Sequence, residues 1–209
     1  MTAGPDPALR RRRVPRSGKR IARPRWRRPR PPSSAGRAGE TQVTATPLAI
    51  DIAEACPLWR RNLGDVDALC LSAARAALAG AEVLHGPAEL SLVLGDDAML
   101  RALNCRWREQ DRATNVLSFP ALDAALPEGA PRLLGDVVLA FETIATEAAA
   151  QGKPLADHLR HLVVHGVLHL LGLDHATPAE AAQMEAREIA VLAQLGVPDP
   201  YRPLGGSHG

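Results

Sequence analysis

From Pro47 to Leu195 the apolar positions recur with regular periods, and before Thr46 they do not. Alternation at every second residue marks a half-buried strand, and Glu89–Leu94 (ELSLVL) shows it. Pro47–Ile52 (PLAIDI) reads as a first strand, and Asn115–Phe119 (NVLSF) as a short one stopped by Pro120. Leu133–Phe141 (LLGDVVLAF) is a fourth, with Gly135 suited to a bulge. The intervening ALDAALPEGAPR is a loop by its Pro and Gly. Helical spacing predicts an amphipathic helix over Val66–Ala79, ended by Gly80. A second starts at Gly95-Asp96-Asp97 and runs through Met99, Leu100 and Leu103. Its acidic first turn sits at the positive end of the helix dipole. Glu142–Gln151 and the long apolar Leu155–Leu171 follow. The last helix has Thr177 as N-cap, Pro178 at its first position and Glu180 three residues after the cap, and runs to about Leu195 with Gly196 closing it. The expected class is α+β: a small sheet with helices packed on it and Leu155–Leu171 at the centre.

Charge divides the 209 residues. Residues 1–40 hold thirteen Lys and Arg against Asp6 and Glu40, a net of +11, while the other 169 carry twelve basic and twenty-one acidic residues, a net of −9. The first stretch is rich in Pro, Gly and Arg and has too few apolar residues to offset the entropy of ordering, so residues 1–45 are expected to be a disordered basic extension. It suits contact with RNA phosphates, and equally a solvated tail, a start codon placed too far upstream or, less simply, a transit peptide. Residues 46–198 are the expected domain and 199–209 a flexible tail. No apolar segment of signal-peptide or membrane-span length is present. Cys56, Cys70 and Cys105 are widely spaced with no C-x-x-C pair, which points to small buried hydrophobes in a reducing cytoplasm.

The chemistry is concentrated in His165–His175, HGVLHLLGLDH. His165 and His169, four apart on a helix, face one point, and Gly172 permits the turn that brings His175 back. Three imidazoles on one small cation leave a position open, the arrangement of a catalytic zinc site, so one zinc ion per protomer is expected. The spacing is that of the metzincin peptidases, but their glutamate base, one residue after the first histidine, is here Gly166. His158 and His161 fall near the same helix face, as partly exposed structural residues, as spare ligands or as support to the ligands. Asp174 is either a turn residue or a hydrogen-bond partner that orients an imidazole.

Together with Leu103-Asn104, Arg108, Asp111, Thr114–Pro120 (TNVLSFP) and Leu134-Gly135-Asp136, this motif resembles the YbeY family of bacterial endoribonucleases, the rRNA maturation factors, over roughly Leu48–Leu195. The resemblance implies a YbeY-like fold with a small mixed sheet and a distantly metzincin-like site. It also implies metal-dependent cleavage of single-stranded RNA, with roles in maturing the 3′ end of 16S ribosomal RNA and in ribosome quality control. The partners implied are ribosomal RNA and the small ribosomal subunit, with no DNA and no membrane. His165, His169 and His175 match the zinc ligands and Arg108 the functionally required arginine, whose planar fork suits a phosphate. Leu173 stands where an aromatic is expected, and the basic extension is outside the family pattern. The residues alone leave open a zinc peptidase-like hydrolase and a non-catalytic, metal-stabilised ribosome-associated module. They identify no carboxylate base, and leave the nucleophile open between a water on the ion and the substrate's 2′-OH.

Overall fold

The structure, a computed structural model, describes residues 48–79, 86–121 and 130–202. Four strands form one mixed sheet in the order β1-β2-β4-β3: β1 Leu48–Glu54, β2 Ala88–Gly95, β3 Val116–Pro120 and β4 Arg132–Ala140. β1, β2 and β4 run parallel, with Ile50 opposite Leu90 and Leu92 opposite Val137, and β3 closes the far edge antiparallel to β4. The register slips by one residue between Glu89 and Leu90, where the partner jumps from Leu133 to Gly135. Gly135 sits there at φ 137°, and a Cβ on it would lie 2.2 Å from the Phe119 carbonyl oxygen. Only glycine fits a bulge pressed this closely onto β3.

Six helices pack on this sheet: α1 Leu58–Leu63, α2 Val66–Ala79, α3 Asp97–Arg108, α4 Phe141–Ala150, α5 Leu155–Leu170 and α6 Pro178–Gln194. Strand alternation assigns the layers. Leu90, Leu92, Leu94, Val137 and Leu139 join the large core with α2, α5 and α6. Val93, Val138, Leu117 and Phe119 point the other way and meet Leu100 and Leu103 of α3. A strand buried on both faces reads as an apolar run, as β4 does from Val137 to Ala140. α5 is the central helix, nine of its sixteen residues buried.

The expected elements are present, with local corrections. α1 is an addition: six residues after Pro57, too short to show a helical period, anchored by the fully buried Trp59, whose indole N–H donates to the Gly95 carbonyl at 2.9 Å. Phe141 starts α4 instead of ending β4. The capping box predicted at Thr177 and Glu180 is formed. Cys56 and Cys70 are buried, but Cys105 is exposed, on the outer side of α3. Pro47, Gly80, residues 122–129 of the predicted loop, the extension 1–45 and residues 203–209 of the predicted tail lie outside the described residues.

Candidate metal centre and cleft

α5 ends where the site begins. Leu171 closes the helix, and the Leu173 N–H reaches back to the Leu168 carbonyl at 3.1 Å across Gly172, whose φ of 93° reverses the chain. The reversal carries exposed His175 back over the helix end, onto the half-buried rings of His165 and His169. His175 stacks on His165 with ring centroids 5.7 Å apart and meets His169 edge-on at 5.0 Å. One nitrogen from each of the three rings falls within 4.8 Å of the others.

The outer hydrogen bonds decide which nitrogens face inward. His165 Nδ1 lies 2.7 Å from a carboxylate oxygen of Glu188, and His169 Nδ1 lies 2.9 Å from the Leu173 carbonyl oxygen. Both partners accept, so both Nδ1 atoms carry the proton and both Nε2 atoms present lone pairs. Those two Nε2 atoms are 3.1 Å apart. Facing lone pairs at that distance repel unless a positive charge is shared between them, and the separation is close to the roughly 3.3 Å that two imidazoles on one tetrahedral ion adopt. The donor set therefore fits a divalent cation. Burial lowers the His169 pKa, with help from the neighbouring His165 and His175, so its ring stays neutral and available as a donor.

Glu188 was not singled out in the sequence. It comes from α6 and is fully buried, with one oxygen on His165 and the other receiving His161 Nε2 at 3.2 Å and the Tyr201 hydroxyl. Burial pushes its pKa up, but the three hydrogen bonds outweigh that and hold it at about 2, so it is an anion at neutral pH. A signal existed: Met184, Glu188, Val191 and Leu192 are the buried residues of α6, so a carboxylate occupies the apolar stripe. His161 thus belongs to the support of His165, one carboxylate away. His158, also buried, bonds Glu147 at 2.9 Å, and Glu147 in turn takes the Asn115 amide at 3.0 Å. Neither histidine joins the cluster. Asp174 accepts the His175 backbone N–H at 2.8 Å, so among the described residues it is a turn residue rather than an orienter of an imidazole.

The three rings open into a cleft of about 600 Å³ whose other walls include Arg108, Thr114, Asn115, Ser118 and Asp174. Arg108, at the end of α3, is exposed, and its guanidinium has no ion pair among the described residues. Asp111, by contrast, is occupied by Arg101 at 2.7 Å. The position of the peptidase base is closed. Gly166 is buried against the sheet, and a Cβ there would meet Val137 Cγ1 at 2.5 Å and Ser118 Oγ at 3.2 Å. Ser118 donates to the Gly166 carbonyl at 3.1 Å. Leu173 meets His169 through its backbone carbonyl, while its side chain packs, partly buried, against the main core.

A family model described as Endoribonuclease YbeY matches residues 60–196. A protein of Paramagnetospirillum magneticum named Endoribonuclease YbeY is 55% identical over 157 residues, covering 74% of this chain and 94% of its own length. Another of that name, from Rhodopseudomonas palustris, is 48% identical over 161 residues, covering 76% and 93%. A solution structure from Thermotoga maritima aligns with a TM-score of 0.48 at 19% identity, covering 76% of this chain and 99% of that one.

Proposed function

The chain belongs to the YbeY family of endoribonucleases, and on that premise we propose that it cuts single-stranded RNA with one zinc ion held by His165, His169 and His175. We place that activity in the maturation of the 3′ end of 16S ribosomal RNA and in ribosome quality control in the cytoplasm, with ribosomal RNA and the small subunit as partners. The observation that carries the metal reading is the pair of unprotonated Nε2 atoms 3.1 Å apart, with the third ring's nitrogen within 4.8 Å. When bound, such an ion supplies Lewis acidity that draws charge from a phosphoryl oxygen.

The chain's own residues do the rest. Arg108 lines the same cleft and has no carboxylate partner among the described residues, so its five N–H donors are available to grip two oxygens of the phosphate at the cut. Glu188 and the Leu173 carbonyl hold the two helix imidazoles in one tautomer. A cleft of about 600 Å³ admits a nucleotide with its flanking phosphates. Outside it, residues 41–209 carry a net −9, which repels RNA in general and confines attraction to the cleft and to the basic residues 1–40. The peptidase reading has no support at position 166, where a glutamate has no room.

Purified protein loaded with zinc, incubated side by side with ribosomal RNA and with a peptide mixture, tests the assignment. RNA cleavage that disappears in His169→Ala, with the peptides intact, is expected. Peptide turnover, or RNA cleavage unchanged in His169→Ala, refutes it.

A further inference from the structure

The segment after α6 reaches back to the metal cluster, although the family model ends at residue 196. Val197 is buried in the main core. The Pro200 carbonyl accepts Lys153 Nζ at 2.5 Å. Tyr201 lays its ring edge-on to His161, centroids 5.6 Å apart, and its hydroxyl donates to Glu188. Glu188 is the only described carboxylate that bonds one of the three clustered imidazoles. A buried anion is stable only while its oxygens are satisfied. Its two oxygens take three donors: His165 on one, His161 and Tyr201 on the other. The pair on the second oxygen fixes the carboxylate plane, and the plane fixes the direction in which the first oxygen holds His165. The His165 ring, 22% exposed, has no other hydrogen bond outside the cluster among the described residues.

We infer that Glu188 and Tyr201 are positioning residues for His165, Tyr201 acting through the carboxylate, so that residues 197–202 are part of the metal centre. This rests on the reading that His165, His169 and His175 hold the ion. The alternative is that Tyr201 merely covers a buried charge, which predicts changes in stability but none in the cluster's affinity or ligand field.

The test uses the full chain and two probe ions, Zn2+ and Co2+. Zinc affinity is measured by competition with a chromophoric chelator, the cobalt form by its visible absorption, and the melting temperature on metal-free protein. Glu188→Gln keeps the shape but presents an N–H2 where a donor already points, and should weaken zinc about 10- to 100-fold, the range seen when partners of ligand histidines are altered. Tyr201→Phe removes one hydrogen bond from an exposed residue and should fold normally, weaken zinc about 2- to 10-fold and shift the cobalt bands. The double variant should match Glu188→Gln alone, because the tyrosine has no other route to the ion. Wild-type affinity and bands in Tyr201→Phe, or fully additive losses in the double variant, overturn the inference while leaving the three-histidine site intact. His169→Ala separates the two failures: if it binds zinc as wild type does, the three-histidine reading falls and the inference with it.

Discussion

Position 166 puts the packing of α5 to a quantitative test. Gly→Ala inside a helix ordinarily adds about 1 kcal/mol of stability through backbone entropy. Here the new methyl would arrive 2.5 Å from Val137 Cγ1, and Val137 is fully buried on a central strand with a short, stiff side chain that has nowhere to retreat. Overpacking of that kind costs typically ~1–3 kcal/mol and at times more. Ser118 Oγ, 3.2 Å from the new atom, would also shift, loosening its 3.1 Å bond to the Gly166 carbonyl at a further cost of ~0.5–1.5 kcal/mol. The net expectation is a loss of ~1–3 kcal/mol, the reverse of the propensity rule. For a domain of this size that corresponds to a fall in melting temperature on the order of 5 °C. Gly166→Glu, which restores the peptidase pattern, adds a buried unpaired carboxylate to the same clash and should fail to fold. Thermal melts followed by circular dichroism on metal-free protein measure both. A Gly166→Ala variant melting at or above wild type would refute the argument, because it would show room between α5 and the sheet.

Arg108→Lys and Arg108→Ala should retain metal and fold, since the side chain is exposed and makes no ion pair among the described residues, while RNA cleavage falls strongly in Lys and by about 100-fold or more in Ala; wild-type rates in Arg108→Ala, with His165→Ala as the background control, contradict the phosphate grip. His158 titrates below its ordinary 6.5 because burial disfavours the charged ring more than Glu147 favours it. Below about pH 6.5 the unfolded chain therefore takes up a proton that the folded chain refuses, and stability declines as pH drops. Urea midpoints of metal-free protein should fall between about pH 6.5 and 5, and fall less in His158→Gln; equal slopes dismiss the account. Removing residues 1–40 should leave the melting temperature of the remaining chain unchanged, since their composition offers no core contacts; a large drop shows otherwise.

How much of this was legible in advance depended on whether the signal was periodic or tertiary. α2, β2, α5 and α6 announce themselves because one face of each is apolar at the right spacing, and Thr177 and Gly172 mark ends by local chemistry alone. Gly135 was readable as a bulge; that it is pressed against the Phe119 carbonyl was not, because β3 meets β4 only in the folded sheet. α1 was missed because six residues complete fewer than two turns, and its anchor, the Trp59–Gly95 bond, spans 36 positions. The histidine cluster was visible as local spacing. Its support was not: Glu188 lies 23 residues beyond His165, and only its place in the apolar stripe of α6 hints that it turns inward. For Asp174 the sequence left two roles open, and the bond from the His175 backbone N–H favours the turn.

The order of these residues along the chain bears on how the protein is made. A ribosome that has translated as far as His175 has produced all three imidazoles and none of the anion that aligns the first of them, because Glu188 comes thirteen residues later and Tyr201 later again. Synthesis is vectorial and the earlier parts of a domain emerge first. The centre can therefore be completed only when α6 docks against α5 and brings Glu188 to His165. In a chain whose proposed target is ribosomal RNA, the residues that hold the first imidazole in place are thus among the last to be made.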